Sequence, residues 1–92
     1  MTAGKLMAQT GHAGMLAATL LAASDQAALA AWRDAGCPAR AVPADASAWA
    51  DLSRRVTPPG PAWRDHRLLA VRDAGFTEVA PGTVTVFAQL ET

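Results

Sequence analysis

Three polar residues near the amino terminus have the spacing of one helical face. Lys5, Gln9 and His12 are four and three residues apart in a stretch without proline, and residues at these spacings form one stripe of an α-helix. The apolar residues that line up beside this stripe are Leu6, Ala13, Ala17 and Leu20. We therefore predict that the stripe lies at the edge of a buried face, where polar side chains can point into a cleft. On spacing alone, a solvated helix face is the simpler interpretation.

A second group of polar residues lies near the carboxyl terminus and comprises Asp73, Thr77, Thr83 and Thr85. Asp73 directly follows the apolar run 68–71, which has the length of a buried strand. Side chains that follow a strand leave the sheet at its carboxyl edge, where ligands bind in open α/β sheets. A carboxylate there can act as a general base or orient a water molecule. The structural alternative is an Asx-turn in which Asp73 bonds to the backbone of Gly75.

Other reactive groups lack the context that their chemistry needs. The serines lie outside any G-x-S-x-G motif. The two histidines, His12 and His66, have no neighbouring spacing typical of zinc, and there is no G-x-G-x-x-G or P-loop motif. The single cysteine, Cys37, cannot form an intramolecular disulfide, which fits a reducing, cytoplasmic compartment. We expect it to be a small buried thiol and not a nucleophile.

The pattern of apolar residues and breakers predicts a small α/β domain spanning residues 1–92, with a small mixed β-sheet flanked by helices. Asp45 or Ser47 is the expected cap of the third helix, and Thr57–Pro61 is expected to be a surface loop. The predicted elements are helices over 3–23, 25–35 and about 47–55, and strands over 39–42, 67–72 and 83–90. Residues 73–82 are expected to form a turn-rich connection.

The charge balance excludes a general nucleic-acid coat. Eight basic and eight acidic residues give a formal net charge of zero, whereas such proteins carry a strong positive excess. Lys5 and the apolar run 13–23 resemble a secretory signal, but Gln9, Thr10 and His12 interrupt the pattern. The run is also too short to span a bilayer, so we expect a helix and no membrane association.

Two stretches resemble the signatures of type-2 peptidyl-tRNA hydrolases, the archaeal and eukaryotic type. Residues 4–13, GKLMAQTGHA, are similar to the family's helical signature G-K-x-A-A-Q-x-x-H-A. Residues 71–86, VRDAGFTEVAPGTVTV, are similar to its second signature, V-x-D-A-G-x-T-x-x-x-P-G-T-x-T-V. Both occur in the family's order. The intervening helix, Trp32 and the expected strand at 39–42 follow the same layout, so the resemblance covers nearly the whole chain.

The resemblance implies an enzyme that hydrolyses the ester joining a peptide to the ribose of tRNA, without a metal or organic cofactor. Lys5 and Asp73 match the residues most often implicated in catalysis, and Gln9, His12, Thr77 and Thr83 match others that line the cleft. The partner implied is peptidyl-tRNA, and the family commonly forms homodimers. The arginines available for the tRNA backbone, which sequence does not rank, are Arg54, Arg55, Arg64, Arg67 and Arg72.

The chain also departs from the family pattern. Family members begin with a hydrophobic strand, whereas Met1 of this chain falls where they have an internal methionine, and Met7 replaces a small alanine. We therefore expect either a start codon assigned too far downstream or a truncated relative whose first strand is missing, which would expose a sheet edge. The alternative function is a catalytically inactive relative that binds RNA or a protein partner through that edge.

Overall fold

The computed structural model describes residues 3–72 and 83–91 of the chain. In chain order, the elements are α1 (Ala3–Ser24), α2 (Gln26–Asp34), α3 (Ala46–Arg55), α4 (Pro59–His66), β1 (Leu68–Arg72) and β2 (Val84–Gln89). The predicted α/β class is confirmed, with four helices and one two-stranded antiparallel sheet over these described ranges. None of the helices in the described ranges is both long and apolar enough to cross a membrane.

The boundaries of α2 and α3 follow the capping residues of the sequence. The side chain of Asp25 accepts a hydrogen bond from the backbone N–H of Ala28 at 3.0 Å, and that of Asp45 accepts one from Ala48 at 2.8 Å. These bonds satisfy backbone donors that the first turn of a helix leaves without a partner. Asp45, and not Ser47, is therefore the cap of α3. Helix α2 ends as predicted just before Gly36, whose positive φ of 89° suits glycine.

The expected strand at residues 39–42 is wrong. These residues are exposed and have no regular structure, and no strand of the described residues pairs with them. A short extended segment becomes a strand only when a neighbour takes up its backbone hydrogen bonds, and propensity cannot supply that neighbour. The expectation for Cys37 is also wrong, because its side chain is exposed.

The expected loop at Thr57–Pro61 is wrong in its second half, because α4 begins at Pro59. Proline is well placed in the first helical turn, since the N–H that it lacks has no intrahelical acceptor there and its φ is already helical. The same residues that interrupt α3 therefore start α4. Sequence reasoning treated the cluster only as a breaker.

The sheet buries both of its faces. Strand β1 pairs with β2 so that Leu69 lies opposite Ala88 and Val71 opposite Val86. These residues pack with a cluster whose helical members include Ala13, Leu16, Leu21, Leu29 and Trp63. Leu68, Ala70 and Phe87 alternate to the other face and pack with Leu52, Val56 and Ala62. One face of the sheet therefore packs against α1 and α2 together with Trp63 of α4, and the other face packs against residues of α3 and α4.

Candidate functional site

The contacts at the end of α1 fix the direction in which this helix crosses the sheet. The guanidinium of Arg67, one residue before β1, donates to Ser24 Oγ at 3.3 Å and pairs with the Asp25 carboxylate at 3.3 Å. The carboxyl end of α1 therefore lies beside the start of β1. Ala13 and Leu21 of α1 pack in the same cluster as Val71. It follows that α1 runs back along the sheet in the direction opposite to β1.

The amino-terminal part of α1 consequently extends beyond the carboxyl end of β1. The 22 residues of α1 span about 33 Å at 1.5 Å per residue. The five residues of β1 span only about 17 Å. Measured back from Ser24, the first turns of α1 overhang the end of the strand at Arg72. Lys5 and Gln9 lie in this overhanging part.

The three polar residues predicted to form a stripe on α1 differ in burial. Gln9 is 7% exposed and lies within the buried face, one helical turn before the buried Ala13. Lys5, another turn earlier, is half-buried, whereas His12 is exposed. Lys5 and Gln9 each have an interaction partner. The prediction of a polar stripe at the edge of the buried face thus fits Lys5, while Gln9 lies deeper and His12 lies outside.

The threonines of the second group lie at the same end of the sheet. Thr83 is exposed and immediately precedes β2. Because β2 is antiparallel to β1, with Val84 opposite Arg72, Thr83 lies at the carboxyl end of β1. Thr85 is only 9% exposed, and its hydroxyl donates to the carbonyl oxygen of Val71 at 3.3 Å. Thr85 therefore has a structural role.

Two predicted site residues, Asp73 and Thr77, lie outside the described residues. Asp73 directly follows Arg72, the last residue of β1. The carboxyl end of β1, after which Asp73 follows in the chain, is also the end of the sheet beyond which Lys5 and Gln9 of α1 lie. Within the described ranges, no group of three or more His, Cys, Asp or Glu side chains is arranged to hold a metal ion.

The structure separates the candidate arginines by their contacts. The guanidinium of Arg67, besides its bonds to Ser24 and Asp25, lies over the Trp63 ring at 5.2 Å, and its side chain is 22% exposed. Arg54 and Arg64 are 72% and 71% exposed, and each pairs with a carboxylate on its own helix, at 3.2 and 3.3 Å. Arg67 is therefore a structural residue, whereas the guanidiniums of Arg54 and Arg64 are open to solvent. The sequence signal for the role of Arg67 is Trp63, four residues earlier, and it indicates a contact only once the turn between α4 and β1 is known.

The fold is an α/β domain with helices packed against both faces of a small sheet. Its long amino-terminal helix, α1, carries Lys5 and Gln9 beyond the carboxyl end of β1. The family model described as Peptidyl-tRNA hydrolase PTH2 matches residues 1–89 of the chain. The chain therefore belongs to the PTH2 family of peptidyl-tRNA hydrolases, whose members act on peptidyl-tRNA. Searches of curated proteins and of solved structures found no significant match.

Proposed function

We propose that this chain hydrolyses the ester bond between a peptide, or an N-blocked amino acid, and the ribose of tRNA. The observation that carries the proposal is the family match over residues 1–89, which includes both signature stretches. Geometry supports it, because Lys5, Gln9 and Thr83 lie toward the end of the sheet at which Asp73 follows β1. The reaction adds water across the ester, releasing the peptide carboxylate and a tRNA with a free ribose hydroxyl.

Lys5 and Asp73 are the proposed catalytic residues. The ammonium of Lys5, a half-buried residue of α1, can stabilise the oxyanion that develops on the ester carbonyl, or bind the terminal phosphate of the tRNA. A carboxylate at the carboxyl edge of the sheet can position the attacking water and accept its proton. We further propose that Gln9, His12, Thr77 and Thr83 line the cleft, with the threonines holding the water or the ribose. No metal or organic cofactor enters this scheme.

The backbone of the tRNA is proposed to contact the solvent-exposed arginines. Arg54, Arg55 and Arg64 lie on α3 and α4, and Arg72 ends β1. A guanidinium whose present partner is an exposed carboxylate can exchange it for a phosphate at little cost, because such surface pairs contribute little stability. Arg67 is removed from the tRNA-binding set, since its side chain holds α1 against the turn before β1.

The decisive experiment measures deacylation of N-acetyl-aminoacyl-tRNA by the wild type and by Lys5→Ala and Asp73→Ala. Removing one oxyanion-stabilising group or a general base lowers the rate by about 100-fold or more. Asp34→Ala is the matched control, because this residue is exposed and lies on α2, which carries none of the proposed catalytic or tRNA-binding residues. Circular dichroism should show that all four proteins are equally helical. Equal rates for the wild type and both site variants would refute the assignment.

A second candidate function is a non-catalytic relative that binds RNA or a protein partner. The observation that favours it is that, within the described residues, β1 has a strand neighbour on one side only. Retention of tRNA or protein binding with no measurable hydrolysis would select this alternative. We also propose that residues 1–92 form one domain, because β1 and β2 contribute residues to both core clusters. We propose a cytoplasmic location for this domain. The homodimer that the family resemblance implies stays a prediction, and light scattering would measure the oligomeric state.

A further inference from the structure

The pairing of the two strands becomes irregular at the carboxyl end of β1. Val71 lies opposite Val86, whereas the next residue, Arg72, lies opposite Val84. One step along β1 therefore corresponds to two steps along β2, and Thr85 is the extra residue. Such an arrangement is a β-bulge, which bends its strand locally. Bulges are common beside active sites, where they change the direction of a side chain.

The side chain of Thr85 forms a hydrogen bond across this bulge. Its hydroxyl donates to the carbonyl oxygen of Val71 at 3.3 Å. The carbonyl of Arg67 accepts a hydrogen bond from the N–H of Leu90 at 3.0 Å, so the backbone of residue 67 faces β2. Backbone groups of every second residue point to the same side of an antiparallel strand, and the carbonyl of Val71 therefore faces β2 as well. The hydroxyl thus supplements the backbone bonds at the point where the regular register ends.

Packing alone does not favour a hydroxyl at this position. Thr85 is only 9% exposed and lies between Val84 and Val86 in β2. Valine has nearly the same shape, is equally suited to a strand and has no polar atom to bury. A buried hydroxyl costs free energy unless it is bonded, and a bonded one contributes little net stability. The distinctive contribution of threonine here is therefore the carbonyl group that its bond holds.

The bond to Val71 fixes the direction in which β1 ends. The peptide unit that joins the Val71 carbonyl to the Arg72 N–H is planar. Holding its oxygen therefore sets the orientation of the whole unit, and Asp73 is the next residue along the chain. On the other strand, Thr83 lies two residues before Thr85. One hydrogen bond thus joins two arms, each of which leads within two residues to a proposed site residue.

We propose that Thr85 is a positioning residue for hydrolysis, which holds the end of β1 so that the Asp73 carboxylate is directed at the attacking water. The inference rests on the proposed function, in which Asp73 positions that water. Thr85 itself contacts no substrate in this scheme, because its side chain is buried and its hydroxyl is bonded to Val71. A displacement of about 1 Å from the reactive geometry can lower a rate about 100-fold, so loss of this bond should be visible in kcat.

The test compares two substitutions of Thr85 in the full chain by deacylation of N-acetyl-aminoacyl-tRNA over a range of substrate concentrations. Thr85→Val removes the hydroxyl but keeps the branched shape, and it should lower kcat about ten-fold or more while KM changes less than about two-fold. Thr85→Ser keeps the hydroxyl and should retain kcat within about three-fold of the wild type. Thr19→Val is the matched control, because the exposed Thr19 hydroxyl also donates to a backbone carbonyl, that of Met15 at 2.8 Å, and both constants should stay unchanged.

A double-mutant cycle separates an effect through Asp73 from a general effect on the structure. If Thr85 acts through Asp73, Thr85→Val should lower the rate of the Asp73→Ala protein by less than about two-fold. The same loss in both backgrounds would overturn the proposal, and so would a wild-type kcat for Thr85→Val. Failure of Thr85→Val to fold in urea denaturation would also overturn it, because the hydroxyl would then serve stability. Equal rates for the wild type and Asp73→Ala would instead refute the proposed function, so the two failures are distinguishable.

Discussion

Replacement of Arg67 tests two roles of one residue. Its side chain bonds to the end of α1, and its backbone adopts the left-handed conformation in the turn between α4 and β1. Its φ and ψ of 51° and 39° lie in the left-handed region, and it caps the end of α4 directly before β1 begins at Leu68. Its side chain bonds to Ser24 and Asp25 and covers the Trp63 ring. Alanine removes these contacts but keeps the strained backbone. Glycine removes the contacts and relieves the strain as well.

The two substitutions should therefore differ in a defined direction. The ion pair is partly exposed, with side-chain exposures of 22% and 38%, so it contributes at most about 1 kcal/mol. The cation–π contact and the hydrogen bond to Ser24 add about 0.5–2 kcal/mol together. Arg67→Ala should therefore lower the free energy of unfolding by about 0.5–3 kcal/mol. Glycine adopts the left-handed conformation without the steric cost that alanine has there. The greater freedom of glycine in the unfolded chain offsets part of this gain. Arg67→Gly should therefore be more stable than Arg67→Ala by about 0.5–1 kcal/mol.

Arg64 provides the matched control on the same helix. Its side chain is 71% exposed, and it lies within α4. There the order of the two substitutions should reverse, because glycine in a helix is less stable than alanine by about 0.5–1 kcal/mol. Urea denaturation followed by tryptophan fluorescence resolves these differences, since a small domain loses about 1 kcal/mol per molar urea. If glycine were worse than alanine at both positions, the left-handed turn and the reasoning built on it would be wrong.

Three further predictions follow from the fold and the proposed chemistry. Leu21→Ala should lower the free energy of unfolding by about 2–5 kcal/mol in thermal or urea denaturation, because Leu21 is 0% exposed and its truncation leaves a cavity; a loss below about 1 kcal/mol would contradict this packing. Asp45→Ala should cost about 1 kcal/mol through loss of the α3 cap, and Asp45→Asn should recover most of that loss. Deacylation should be unchanged by prior dialysis against EDTA, and activity that returns only on adding a divalent cation would disprove the cofactor-free scheme.

Local chemistry in the sequence was sufficient to predict most of the helices and both strands. The run from Ala3 is free of proline and rich in helix formers, and it forms α1 within one residue of its expected end. Asp25 and Asp45 are capping residues whose side chains can bond only a few positions ahead. The alternation after Thr83 places Phe87 on one sheet face and Val86 on the other. Each of these signals acts between near neighbours, so sequence alone can determine it.

The errors arose where distant residues decide the outcome. The segment at 39–42 is extended enough in pattern to suggest a short strand, but no described strand pairs with it. The prolines at 59 and 61 break a helix or begin one, depending on what precedes them, and here they begin α4. In each case the local preference is weak, and the context of the fold overrides it.

The sequence by itself determined the candidate reactive residues, Lys5 and Asp73, and the family to which their motifs belong. Only the tertiary structure decided that Gln9 is buried while His12 is exposed, since both lie on the same helix and packing against the sheet selects between them. It also decided that Arg67 serves the fold, because its guanidinium pairs with Asp25 at the far end of α1. Burial and pairing depend on residues far apart in the chain, and spacing along one helix or strand contains no information about them.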